Sequence, residues 1–395
     1  MSDILIDEEQ NVWVREKYTG EKLGLNCVNY IPIKIPNFKA IKFSRYGYCI
    51  VFITEDNCVY VSNNYEFGII EVGPLVKIPD FKATTVSCGN NHAVFITENN
   101  DVYVHGCNKY GQIGLGYNIY DSILTKIPNF KAVSVYCNGD NTIFITENND
   151  IYACGDNRYG QLGLGHKFNV KIIAGIPNFK AVSLFLGYCI TVFITKNNDV
   201  YVCGYNKRGQ LGLGHNNDVC RPTKIPELNN LLMCALYYHT VFITENHDVY
   251  VCGFNKYGQL GLGHDKDVDI PTKIPDFKAI SVSCSYYNTM FITENNDVYV
   301  HGLNESGQLG LGHNNRVEIP TKIPNFKAIL IYCHIDYSMF ITEDYDVYVC
   351  GHNKYYQLGL GHDNDDVNIP TKIPDFKFKP LQEKRFNKTK SARNI

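Results

Sequence analysis

Hydrophobic and polar positions alternate with a period of two in short runs along most of the chain, and Asn, Asp and Gly break the runs. AVSVYC (132–137) and TIFIT (142–146) mix β-branched and aromatic residues with smaller ones, as do stretches such as DVYVCG (199–204). PTKI (222–225) is a shorter fourth run of the same kind. This pattern predicts four strands per unit, with ENND as a tight turn between the second and third because Asn tolerates positive φ. No stretch shows capped helical periodicity.

The unit repeats strictly. The Phe of the FIT tripeptide falls at Phe95, Phe144, Phe193, Phe242, Phe291 and Phe340, and each step is 49 residues. The Gln of a glycine-rich segment, as in YGQLGLGH (159–166), keeps the same step from Gln112 to Gln357. An earlier Phe52, 43 residues before Phe95, belongs to a shortened first repeat whose NNYEFGIIEVG segment has lost the QLGLG core. Four short strands cannot bury a face alone, so the units must stack, and a period near 50 residues points to radial stacking in a propeller. The expected fold is all-β, a seven-bladed β-propeller of four-stranded antiparallel blades. It would occupy residues 11–376, between an acidic segment 1–10 and a basic tail 377–395.

The ends carry the same half of the repeat twice. NVWV (11–14) and EKLGLN (21–26) match DVYV (101–104) and GQIGLG (111–116) at the same ten-residue offset, and the chain ends with DVYV (346–349) and YQLGLG (356–361). Eight outer halves therefore accompany seven inner halves. The expectation is that the C-terminal copy completes its own blade and the N-terminal copy packs as a spare or latch.

Composition adds mainly exclusions. A net charge of −3 gives no global attraction to nucleic acid or anionic lipid. The start, MSDILIDEEQ, has no apolar signal region, and no run of about eighteen apolar residues occurs, so an intracellular protein, cytoplasmic or nuclear, is expected. The 15 cysteines form no C-x-x-C pair, which argues against a zinc knuckle or a disulfide framework.

VSCGNNHAVFITENNDVYVHGCNKYGQIGLG (86–116) resembles the repeat of the regulator of chromosome condensation family, and the likeness covers roughly residues 10–375. The resemblance implies a seven-bladed propeller and fixes activity much less, because propellers host unrelated functions. Where the family often has Trp before the blade glycine, this chain has His105, Cys154, Cys203, Cys252, His301 and Cys350, and Trp13 is its single tryptophan. The tryptophan clusters of ultraviolet-sensing members are thus missing. The even repeat spacing leaves no room in the regular blades for the inserted wedge of members that exchange nucleotide on a nuclear Ras-like GTPase. With only a short stretch after Pro374, a fused ubiquitin-ligase domain is not expected, except as a partner in trans.

Individual motifs read as structure. QLGLG has no Lys-Ser/Thr after it and lies among strand and turn signals, so its glycines are expected to serve backbone geometry rather than a phosphate, and no cofactor is expected. His166, His215, His264, His313 and His362 sit one repeat apart, on different blades, and are expected to hydrogen-bond loops rather than hold metal. Cys88, Cys137, Cys284 and Cys333 fit small buried positions on inner strands. No nucleophile–base or paired-carboxylate arrangement stands out, so no enzyme is expected.

In an antiparallel four-stranded blade the first and third loops emerge on one face. That face would gather Lys109 and Tyr110, Arg158 and Tyr159, Lys207 and Arg208, Lys256 and Tyr257, and Lys354 and Tyr355. The opposite face would gather the ENND turns and the PNFKA links. Arg and Tyr favour binding hot spots, so the first rim is the candidate partner surface, although Lys and Tyr would also serve simply to solvate a loop. The expected function is a monomeric, non-catalytic propeller that holds another protein. The alternative is a guanine-nucleotide exchange factor for a Ras-like small GTPase. The tail, with seven Lys or Arg against one Glu, reads as a solubilising extension or a weak nucleic-acid or nuclear-import arm.

Overall fold

In a computed structural model the chain is described over residues 4–14, 32–46, 49–62, 75–116, 121–187, 189–361 and 366–380. These residues form an all-β propeller of eight antiparallel sheets, seven with four strands and one with three. In the fourth blade the strands are Ser134–Asn138, Asn141–Ile145, Asp150–Gly155 and Val170–Lys180, paired in sequence order. The four strand signals of each repeat therefore become one sheet. Its second strand is buried along its whole length, because both of its faces meet a neighbouring blade.

The turn between second and third strands has the anticipated chemistry. Asn100, Asn149, Asn198 and Asn296 hold φ between 61° and 64°, and Asn149 N–H donates to the Thr146 carbonyl at 2.9 Å. The outer strand carries a bulge before the link, since Tyr152 faces Gly175 while Asp150 faces Lys180. That bulge swings the Phe of PNFK into the next blade. Phe130 meets Phe144 and Tyr152 edge-on, with centroids 5.1 and 5.3 Å apart, and Phe81, Phe179, Phe277 and Phe326 repeat the arrangement. One Phe thus joins consecutive blades at each of these links, and Leu228 takes its place between the fifth and sixth.

The blade count differs from the expected seven. Ile4–Ile6, Asn11–Val14 and Ile33–Lys39 form a three-stranded sheet of their own. On one side Ile4, Ile6, Val12 and Val14 pack with Ile50 and Phe52 of the second blade; on the other, Leu5 and Trp13 pack with Met339, Phe376 and Phe378 of the last. The C-terminal copy completes the last blade, as expected. The N-terminal copy is not a spare: it takes a place in the ring as a blade that, among the described residues, lacks the innermost strand. Its sequence, ILIDEEQNVWV, carries the second and third strands and the turn between them but no FIT motif to mark them.

The chain ends meet at this blade. Asp7 bridges to Pro380, Glu8 N–H donates to the Lys379 carbonyl at 3.0 Å, and Lys379 Nζ lies 2.7 Å from Glu8. Residues 377–380 therefore belong to the folded ring, while 381–395 lie outside the described residues.

Candidate functional site: the loop rim

The third loop of each blade is built by one Asn and one Gln. In the fourth blade Asn157 Oδ1 accepts from Leu162 N–H at 3.0 Å while Nδ2 donates to the His166 carbonyl at 2.8 Å. Gln161 Oε1 accepts from Tyr159 N–H at 3.0 Å. Two side chains thereby hold the ten-residue segment in one shape, and Asn206, Asn255 and Asn304 repeat the pattern.

The segment then lies across the next blade. The Gln161 carbonyl accepts from Thr191 Oγ1 at 2.6 Å and from Cys203 Sγ at 3.4 Å. Cys154, Cys252 and Cys350 reach the carbonyls of Gln112, Gln210 and Gln308 in the same way, so the thiols at the family's Trp position pin one blade's loop to the next. Burial pushes Cys284 up to about 12 and holds Cys154, Cys203, Cys252 and Cys350 higher still, so all five are protonated thiols.

The glycines explain themselves in this packing. At Gly209, φ is 75° and an added Cβ would stand 2.6 Å from the Asp269 backbone. The loop's amides are spent inside the fold: Gly160 N–H donates to the Asn157 carbonyl, Gly163 N–H to that of Gly160, and Gly165 N–H to that of Cys220. This is unlike a phosphate cradle, whose amides point at the ligand. The histidines are loop caps, since Nδ1 of His166, His215, His264 and His313 accepts from the amide two residues on. His362 lies outside the described residues. Among the described residues no group of His, Cys, Asp and Glu converges to hold a metal ion.

Sheet order puts the first and third loops on the same face. The ten candidate residues occupy equivalent positions in the third, fourth, fifth, sixth and eighth blades, and Glu305 and Ser306 interrupt the series in the seventh. Contacts across blades link several of them. Arg158 lies 5.6 Å from the Tyr110 ring, which also has Lys109 Nζ at 5.4 Å; Tyr159 meets Tyr205 edge-on at 5.1 Å; Arg208 lies 5.0 Å over Phe254. Lys207, Lys256, Lys354 and Tyr355 are exposed.

Both arginines have acidic partners. Arg158 makes a bidentate pair with Asp156 at 2.9 and 3.0 Å, and Arg208 reaches Asp267 at 3.3 Å. The rim is therefore less basic than its sequence. It is also more aromatic, because Tyr237, Tyr238, Tyr286 and Tyr287 on the first loops join Phe254 and Tyr257 there. The sequence held a signal for these rings: LYYH and SYYN place paired tyrosines one 49-residue step apart, where other repeats have GNN or GDN.

The opposite face is pinned rather than open. Asp101, Asp199, Asp248, Asp297 and Asp346 pair with the outer-strand lysines Lys126, Lys224, Lys273, Lys322 and Lys372 at 2.8 to 3.0 Å. Lys131, Lys180 and Lys278 donate to turn carbonyls. These lysines thus serve the fold.

Comparison with known proteins agrees with the geometry. No curated protein matches the chain. Among solved structures, human WBSCR16 is 22% identical over 76% of this chain and 83% of its own, with a TM-score of 0.59. Yeast RCC1 (Prp20), solved with Kap60 bound, is 20% identical over 76% of this chain and 77% of its own, with a TM-score of 0.58. Prp20p of Saccharomyces cerevisiae, solved in a study of its binding to Gsp1p and histones, is 22% identical over 74% and 77%, also at 0.58. The Regulator of chromosome condensation (RCC1) repeat matches residues 148–194, 197–243, 246–292, 295–341 and 345–384, and a second form of that repeat matches 83–112, 132–161, 181–210 and 279–308. With more than half of its length in such repeats, the chain belongs to the Regulator of chromosome condensation (RCC1) repeat family.

Proposed function

We propose that this protein is a non-catalytic interaction propeller that holds a partner protein on the rim formed by its first and third loops. The observation that carries the reading is the continuous cross-blade series of cations and rings from Lys109 and Tyr110 to Lys256 and Tyr257, presented on loops that their own Asn and Gln side chains hold in shape. Pre-shaped loops bearing Tyr and Arg lose little entropy on binding and supply the residue types that dominate interface energetics. Yeast Prp20p, of similar fold, is described as binding Gsp1p and histones, and a protein partner for this chain is in keeping with that.

The test is charge reversal of Lys207, Arg208 and Lys256 together. Loss of partners retained by the unaltered protein supports the reading, and an unchanged set refutes it.

A second reading, exchange of guanine nucleotide on a Ras-like small GTPase, rests on the family resemblance. Nucleotide release measured across a panel of small GTPases separates the two: accelerated release supports exchange, and stable binding without release supports a scaffold. Among the described residues no helix is long and apolar enough to cross a membrane.

A further inference from the structure

On the loop rim, the sixth and seventh blades carry rings that the repeat does not require. Tyr237 and Tyr238, 42% and 44% exposed, and Tyr286, 36% exposed, stand on first loops where the third and fourth blades have glycine with Asn or Asp. They join Phe254, Tyr257 and Tyr287 in one patch. Centroids are 5.1 Å apart for Tyr238 and Tyr286, 6.4 Å for Tyr238 and Phe254, 6.1 Å for Phe254 and Tyr257, and 4.9 Å for Tyr257 and Tyr287. A contiguous exposed aromatic patch of this kind marks an interaction surface.

Its chemistry narrows the occupant. The cation stacked on it, Arg208, is shared between the Phe254 face and Asp267, and the exposed Lys207 and Lys256 stand at its edge, so what the patch itself presents is aromatic faces and hydroxyls. The rings meet edge-to-face or tilted and fill the spaces between one another, which leaves a shallow surface rather than a socket for a single side chain. The phenols are donors at neutral pH, since partial desolvation raises Tyr237 and Tyr286 above the ordinary tyrosine value rather than lowering them.

We propose that this patch binds a proline-rich segment in the extended polyproline II conformation. The proposal rests on the loop-rim reading above and narrows it to a partner class. A polyproline II helix has no internal hydrogen bonds, so its carbonyls are available to tyrosine hydroxyls while its proline rings pack on aromatic faces. It rises about 3.1 Å per residue, so residues two apart are separated by about 6 Å, close to the spacing of the rings. Being already extended and stiff, it loses little entropy when it lies along a shallow surface.

The experiment is a fluorescence-anisotropy titration of the full chain with a fluorescein-labelled polyproline peptide, at low and high salt. We expect saturable binding that salt does not weaken. Affinity should fall about tenfold or more in Tyr238→Ala and Tyr286→Ala, and less in Tyr286→Phe, which removes only the hydroxyl. Glu98→Gln, on the opposite face, should leave it unchanged. If the alanine variants do not fold, protection of the native tyrosines from N-acetylimidazole by the same peptide serves instead, and absence of protection overturns the proposal. Salt-sensitive binding of polyglutamate or oligothymidylate in place of polyproline also overturns it. If no probe binds but charge reversal of Lys207, Arg208 and Lys256 still removes cellular partners, the proline reading fails and the rim reading stands. If neither occurs, both fail.

Discussion

Phe376 meets Trp13 edge-on, with centroids 5.3 Å apart and planes at 69°, and this contact joins the last blade to the first. It is the counterpart of the Phe–Tyr contact at most other blade junctions, with Trp13 in the tyrosine's place. Trp13 Nε1 also donates to Asp7 at 2.8 Å. Trp13→Ala is expected to cost about 2 kcal/mol or more through lost packing, and deletion of residues 1–30 should lower the melting temperature sharply. Since Trp13 is the single tryptophan, its fluorescence reports the closure directly. The fluorescence and circular-dichroism unfolding curves should coincide, because the first blade shares core with both neighbours; a fluorescence change at lower denaturant would mean that the closure opens on its own.

The thiol at the blade glycine has a second prediction. Cys252 Sγ donates to Gln210 and lies 3.3 Å from where a Cβ on Gly212 would stand, so no room remains for the family's Trp. Cys252→Trp should overpack the junction and destabilise by about 3 kcal/mol or more, whereas Cys252→Ser keeps the donor and should cost about 1 kcal/mol. Denaturant melts of the two variants check the order. In the native state Cys154, Cys203, Cys252 and Cys350 should resist thiol reagents until unfolding, because each is buried and protonated.

Gly209→Ala should be costly for a single added methyl. The new Cβ would meet the Asp269 backbone at 2.6 Å, and φ of 75° strains any L side chain there. About 2 kcal/mol or more is expected from thermal melts, against a small change for Gly175→Ala, where φ is ordinary and the nearest atom is a tyrosine ring carbon at 3.2 Å.

Three buried histidines make stability fall in mild acid. Burial pushes His92 and His239 down to about 3 and His301 down to about 4. His92 and His239 donate from Nε2 to Thr142 and Thr289 of the next blade at 2.9 and 2.8 Å. The unfolded chain takes up protons near the ordinary histidine value while the folded chain does not. Stability is therefore full above that value and is lost as pH falls from about 6.5 toward the folded values, by up to about 1.4 kcal/mol per pH unit for each histidine. Urea midpoints at pH 7.5 and 5.0 should show the drop, and His92→Gln with His239→Gln should flatten it.

Much of this was legible in the letters. The strands, the asparagine turns and the placement of Lys109 through Tyr257 on one face follow from a strict 49-residue period and the alternation within it. The N-terminal blade was not, because ILI at Ile4–Ile6 lacks any marker of the second strand and the described residues before it include no copy of the innermost strand. The neutralisation of the rim was hidden for a different reason. Arg208 and Asp267 stand 59 residues apart, and only the fold of one blade's loop over the next brings them together. The aromatic patch is spread likewise over loops of two blades, so residues 237–238 and 286–287 become neighbours only in the ring.

The central claim is that the loop rim, and not the turn face, holds the partner. Affinity purification with quantitative mass spectrometry tests it most directly, using the unaltered chain, the triple charge reversal at Lys207, Arg208 and Lys256, and a control reversal at Glu98, Glu147 and Glu343 on the opposite face. The account predicts that the rim variant loses the retained proteins while the control keeps them. Loss in the control with retention by the rim variant would contradict it.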